Sequence, residues 1–232
     1  MAASMHRAGG FGILHRFADK DYLVEEYKYA TGIPGYKCGA SFGYRDWSRV
    51  DALYDAGCRI FCLDVAHGDH KLTVLHIKEF KLQYLDCKLI VGNVATAQGA
   101  LNLVEAGADA IKVGIGPGAA CRTREVTGFG VPQLTAIMNV VKVKPFGNFK
   151  IIADGGIKNS GDIVKALAAG ANTVMIGSLL AGCDEAPNPG EYYGNASANV
   201  NGHRAPEGVY GQVERKGSVE DVIKELAWGI KS

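Results

Sequence analysis

The sequence predicts an α/β fold, a TIM (β/α)8-type barrel lacking its first strand, and three observations carry that expectation. Short apolar, β-branched runs alternate with amphipathic stretches at intervals of roughly 20 to 35 residues, the rhythm of repeated strand–helix units. Helical stretches end at glycine and reach the next strand through turns such as Ala106-Gly107-Ala108-Asp109 and Ala169-Gly170-Ala171-Asn172. Polar residues and glycines gather just past the strand ends, where barrels build their active sites. They are Asp64-Val65-Ala66-His67-Gly68, Gly92-Asn93-Val94, Gly114-Ile115-Gly116-Pro117-Gly118, Asp154-Gly155-Gly156 and Gly177-Ser178. Without that clustering, seven strands would describe an open sheet equally well.

In chain order, residues 1–8 have the pattern of the end of a first helix, and no strand candidate precedes them. Strands are expected at 11–15, 37–42, 60–66, 89–94, 110–114, 150–153 and 173–176, because each is a short apolar run of the kind parallel strands show when both faces are buried. A helix over 97–106 ends at Gly107, and one over 160–169 ends at Gly170 with Asn159 or Ser160 available as its N-cap. From about Cys183 the pattern dissolves into Pro187, Pro189, Gly190, two tyrosines and an Asn/Gly-rich stretch. The segment 183–212 is too long for a connector and reads as an active-site loop or lid. An amphipathic helix over about 219–230 follows.

The 232 residues suit one barrel domain, although two smaller domains would also fit. A composition of 47% hydrophobic and 21% charged residues is that of a globular protein with a core, and a net charge of +1 makes no electrostatic case for nucleic acid or a membrane surface. Glycine is the outlier at 31 residues, which points to tight turns and close backbone–ligand approach. Six cysteines form no CxxC pair and mostly lie in apolar runs such as Ile60-Phe61-Cys62-Leu63. They read as reduced, core-packed thiols of a cytoplasmic protein. No apolar stretch approaches a membrane span, and the N-terminus has no signal-peptide pattern.

Five segments carry chemistry. Gly114-Ile115-Gly116-Pro117-Gly118-Ala119-Ala120-Cys121-Arg122-Thr123-Arg124 runs from a strand through three glycines to a cysteine. Two guanidinium groups beside a thiol would favour the thiolate a nucleophile needs, and the glycines would let backbone groups face a ligand or ion. A spare loop thiol is the plainer alternative. Asp154-Gly155-Gly156 and Gly177-Ser178, at the ends of the last two strands, suit a phosphorylated ligand, with Asp154 accepting from ribose hydroxyls. Asp64 and Asn93 on neighbouring strand ends suit a second polar ligand, while His67 is assigned no catalytic role. Finally, Glu191-Tyr192-Tyr193-Gly194-Asn195 and His203-Arg204-Ala205-Pro206-Glu207-Gly208 lie in the expected lid.

These segments together resemble the family of IMP dehydrogenases and GMP reductases, from Met5-His6-Arg7-Ala8-Gly9-Gly10 to Lys216-Gly217-Ser218-Val219-Glu220-Asp221. The most specific part is the glycine–cysteine loop, followed by Thr127-Gly128-Phe129-Gly130-Val131-Pro132-Gln133. The resemblance implies that Cys121 attacks C2 of the purine to form a thioimidate, while Thr123 and Glu207 handle protons. It implies that Asp154 holds the ribose and that Gly156, Gly177 and Ser178 hold the phosphate. Tyr192, Gly194, Asn195, Arg204 and Gly208 complete the nucleotide side. Asp64, Asn93 and Gly114 fall on the cofactor side, and the carbonyls of Gly116, Gly118 and Cys121 match a monovalent-cation (K+) site. Dehydrogenases of the family carry a long flap with an Arg-Tyr dyad that activates water. Only residues 198–206 separate Ser197 from Glu207 here, and they contain no Arg-Tyr pair. That feature, the Arg204-Ala205-Pro206-Glu207-Gly208 segment and the absence of CBS domains make NADPH-dependent GMP reductase the leading expectation. IMP dehydrogenase and a non-catalytic purine-nucleotide binder are the alternatives. The resemblance further implies a homotetramer. Two departures stand out. Ala119 replaces the usual phosphate-contacting Ser, and the absent first strand means either a fragment or a gap covered by a neighbouring element.

Overall fold

A computed structural model describes residues 1–194, 208 and 210–231. Its centre is one seven-stranded parallel sheet in sequential order, β1 (Gly12–Leu14), β2 (Cys38–Phe42), β3 (Ile60–Asp64), β4 (Lys88–Val94), β5 (Ala110–Val113), β6 (Lys150–Asp154) and β7 (Thr173–Met175). The sheet curls into an incomplete barrel. All seven strands arise where apolar runs predict them. Among the described residues β1 pairs only with β2 and β7 only with β6, so the expected gap lies between β1 and β7.

Helices return the chain between strands: α1 (Ala2–Arg7), α2 (Lys20–Thr31), α3 (Trp47–Asp55), α4 (Lys71–Gln83), α5 (Ala97–Glu105), α6 (Thr123–Thr127), α7 (Gln133–Val141), α8 (Ser160–Ala168) and α9 (Ser178–Ala181). Side-chain caps start several of them. Thr96 accepts the N–H of Gly99 at the head of α5, and at α8 it is Asn159 that accepts, from the N–H of Asp162. The closing helix α10 (Val219–Lys231) buries Val219 and Val222 with Leu180 and Cys183, against Met5 of α1. The expected lid is partly regular. Its ends form an antiparallel pair, β8 (Glu191–Tyr193) and β9 (Tyr210–Gln212), which the Gly- and Asn-rich composition does not announce. No helix of the described residues is long and apolar enough to cross a membrane.

Strand alternation places the site. Side chains along a strand point to opposite faces, so residues two apart share one. Phe61, Leu63, Leu89, Val91, Ile111, Val113, Ile151 and Ala153 pack outward into the main core beneath the helices. Their alternates Cys62, Ile90, Ala110 and Ile152 form a separate apolar plug inside the curl, with Ile13, Ile60 and Met175 around it. Two residues further along the same strands, the inward set becomes Asp64, Gly92, Lys112 and Asp154. An apolar plug therefore floors a polar layer at the C-terminal strand ends.

Candidate active site

Backbone geometry shapes the cysteine loop first. Gly114 leaves β5 at φ +149°, and a Cβ there would lie 2.2 Å from the Asp154 carbonyl oxygen. At Gly116 (φ +86°) a Cβ would fall 2.6 Å from Arg124 Cγ. No side chain fits either position without moving the β6 end or the arginine. The Cys121 N–H then donates to the Gly118 carbonyl at 3.0 Å and closes the turn. Cys121 is half-buried, its thiol donates to Thr123 Oγ1 at 3.2 Å, and its backbone bridges antiparallel to Gly208. The two arginines that flank the thiol in sequence have partners of their own. Arg122 Nε donates to Glu125 at 2.8 Å and Arg124 Nη2 to the Val131 carbonyl at 2.7 Å. Thr123 starts α6, whose first turn supplies Glu125 to Arg122.

The other segments converge on this loop. Gly155 and Gly156 both take positive φ, and a Cβ on Gly155 would lie 3.1 Å from Gly118 N and from Pro117 Cγ. The turn after β6 thus rests on the cysteine loop. Gln133, at the head of α7, ties the two strand ends by donating to the Val113 carbonyl at 2.8 Å and the Asp154 carbonyl at 3.2 Å. Tyr192 of β8 approaches the start of α9, where a Cβ on Gly177 would be 3.2 Å from its hydroxyl. Burial, then the Asp154 and Cys121 charges, push the Tyr192 hydroxyl above its usual range, so it stays a donor. Gly194 packs so closely that a Cβ would meet the Ala120 carbonyl at 3.0 Å and Gly208 Cα at 3.1 Å.

One cavity of about 1420 Å³ joins these walls. Cys121, Thr123, Asp154, Gly156, Gly177, Ser178 and Tyr192 line it, together with Asp64, Asn93, Gly114, Gly116 and Gly118. Gly194 and Gly208 stand behind the cysteine loop. Asn195, Arg204 and Glu207 lie outside the described residues. The cavity continues into the β1/β7 gap, where Ala2, Phe11, Ile13, Val174, Leu226 and Ile230 form its apolar end. His67 is exposed.

Sequence reading missed the residue at the centre. Lys112 is buried on β5, its ammonium 2.6 Å from Asp64 Oδ1 and 3.3 Å from Asp154 Oδ2. Asn93 Nδ2 also donates to Asp154 Oδ2, at 2.9 Å, and to the Gly114 carbonyl at 2.9 Å. Burial alone would raise the Asp64 carboxyl, but Lys112 outweighs it and holds the group below the usual carboxylate range. Arg16, just past β1, donates from Nε to the Asp64 carbonyl at 3.1 Å. A signal for Lys112 did exist: it is a charge at an inward position of the apolar strand Ala110-Ile111-Lys112-Val113.

The chain matches the family model of the IMP dehydrogenase / GMP reductase domain over residues 1–232. It is 44% identical to an inosine-5'-monophosphate dehydrogenase of Aquifex aeolicus, covering 82% of this chain and 44% of that protein. The Chlorobaculum parvum protein of the same name is 42% identical over 84% of this chain and 46% of its own length, and that of Methanocaldococcus jannaschii 44% over 83% and 46%. The chain spans under half the length of these curated relatives.

Proposed function

The chain belongs to the IMP dehydrogenase / GMP reductase family, a family of oxidoreductases, and on that footing we propose that it acts at C2 of a purine nucleotide with Cys121 as nucleophile. The observation that carries the reading is the placement of the thiol. Five cysteines are buried, Cys62 among them at the cavity wall, and the sixth, Cys121, is half-buried and lines the large cavity together with Asp154, Tyr192 and the glycine turns.

In this reading the nucleotide ribose is held by Asp154 and its phosphate by the backbone of Gly156, Gly177 and Ser178. Tyr192, Gly194, Asn195, Arg204 and Gly208 complete that side. Addition of the Cys121 sulfur forms an Sγ–C2 bond as the C2–N3 π bond opens onto N3, departure of hydride from IMP or of ammonia from GMP restores that double bond, and Thr123 and Glu207 hold and move the protons that this requires. A nicotinamide cofactor is the second ligand this reading implies, and Asp64, Asn93 and Gly114 of the cavity lining offer it hydrogen-bonding groups. Held there, it would supply hydride chemistry at C2. By family resemblance the carbonyls of Gly116, Gly118 and Cys121 take a monovalent cation. Replacing K+ by a bulky organic cation should then lower turnover. Assembly into a homotetramer is part of the same reading.

Oxidation of IMP is the direction the named relatives favour. Reduction of GMP by NADPH is the second reading, supported by the short, dyad-free segment 198–206, which offers no Arg-Tyr pair to activate water. Two assays decide. IMP with NAD should yield NADH and XMP under the first reading, and GMP with NADPH should yield IMP and ammonia under the second. Either activity should vanish in Cys121→Ala. Full turnover by that variant would overturn the assignment, and tight nucleotide binding without turnover in either assay would indicate a binding protein.

A further inference from the structure

Lys112 lines the cavity between Asp64 and Asp154. We propose that Lys112 is a positioning residue whose ammonium clamps Asp64 and Asp154 at one spacing, coupling the nucleotide side of the cavity to the cofactor side. This rests on the assignment of Asp154 and Asp64 to those two sides in the reading above.

Three observations support the clamp. The ammonium reaches Asp64 Oδ1 at 2.6 Å and Asp154 Oδ2 at 3.3 Å, with only 6% of its side chain exposed. A buried ammonium with neither carboxylate would carry a large desolvation cost, so the three charges hold one another in place. The space for Lys112 is built into the neighbouring strand. Gly92 is its register partner on β4, and a Cβ there would lie 2.5 Å from Lys112 Cβ and 2.8 Å from its carbonyl oxygen. Finally, the clamp takes only one oxygen of each carboxylate. Asp154 Oδ2 receives both Lys112 and Asn93, while Asp154 Oδ1 and Asp64 Oδ2 have no hydrogen-bond partner among the described residues. Two spare acceptors, fixed on one cation, suit hydroxyl donors such as those of ribose.

The titratable groups facing this pair are Arg16 beyond β1, Cys62 of β3, Cys121 of the loop and Tyr192 of β8, with Lys158 on the same cavity wall. Burial would lower the Lys112 ammonium, yet Asp154, Cys62 and Asp64 together raise it, so it remains charged throughout the working pH range. Removing that charge leaves the effect of burial on Asp64 unopposed, so its carboxyl moves upward, and releases Asp154 from the cation that fixes it. An Asp154 no longer held at one spacing binds the nucleotide less tightly.

The test needs no turnover. Carboxyl 13C resonances of Asp64 and Asp154, assigned with Asp64→Asn and Asp154→Asn, are followed against pH in wild type and in Lys112→Met. In wild type the Asp64 carboxyl should titrate below the usual carboxylate range, and in Lys112→Met it should move upward. Calorimetry should show GMP or IMP binding to Lys112→Met roughly tenfold weaker than to wild type. Lys112→Arg, which keeps the charge, should restore both. A wild-type Asp64 that titrates above the usual carboxylate range overturns the clamp without recourse to any variant. So does a Lys112→Met protein that binds nucleotide like wild type. A wild type that binds no purine nucleotide defeats the functional reading instead, while the carboxyl titrations still decide the clamp.

Discussion

Cys38, Cys58, Cys62, Cys87 and Cys183 are buried, and burial pushes the first four thiols up to about 11, 11, 12 and 12. Thiolate is the reactive form, so these groups resist alkylation twice over, by access and by protonation. Iodoacetamide at about pH 8 should therefore label Cys121 well before the others. Peptide mass spectrometry checks this, and equal labelling of Cys62 or Cys87 in the folded protein would contradict the packing. Bound GMP or IMP should protect Cys121. A second residue-scale expectation concerns Gly92. Gly92→Ala brings a methyl against Lys112 and should cost about 1–3 kcal/mol of stability, read by denaturant unfolding, and weaken nucleotide binding with it. Cys121 was legible in the sequence because three glycines and a polar tail surround it. The two arginines flanking it pair with Glu125 and with the Val131 carbonyl, partners that the sequence did not show. Lys112 was harder to see, because its importance depends on Asp64 and Asp154, carboxylates 48 and 42 residues away in the chain.

At the scale of elements, every strand of the parallel sheet was readable from its apolar run, most clearly where both faces are buried, as in β2 and β5. Which face each residue takes follows from the period of two, and that alternation separates the outer core from the inner plug and polar layer. The start of α8 carried its signal in Asn159, whereas the cap at Thr96 emerged only in the fold. Thr96 and Asn159 each accept a backbone N–H, so Thr96→Ala and Asn159→Ala should each cost about 1 kcal/mol. For a chain of this length that corresponds to roughly 2–4 °C in Tm by calorimetry. Losses near zero would mean that the helices are held by packing alone. The β8/β9 pair escaped notice because its strands are three residues each and paired across a long sequence interval. Such pairing depends on tertiary context rather than on local pattern.

At the scale of the whole molecule, the cavity and the β1/β7 gap are one continuous space, so the completeness of the site and the stability of the sheet are linked. Strands β3, β4 and β5 have neighbours on both sides and a fully buried outer face built from Phe61, Leu63, Leu89, Val91, Ile111 and Val113. In the described residues β1 and β7 have one neighbour each, and each is three residues long. Backbone hydrogen bonds at a short, one-sided edge open with less free energy than those in the middle of a sheet. Amides of β3 to β5 should therefore exchange with deuterium slowest, on the order of a hundredfold more slowly than those of β1 and β7. A purine nucleotide held by Asp154, Gly156 and Gly177 touches the ends of β6 and β7, so saturating GMP or IMP should slow exchange in β7 more than in β2. Exchange that is uniform from β1 to β7 would show that the sheet opens as a single unit. Protection of β7 without any effect of nucleotide would place the ligand away from Gly177 and Ser178.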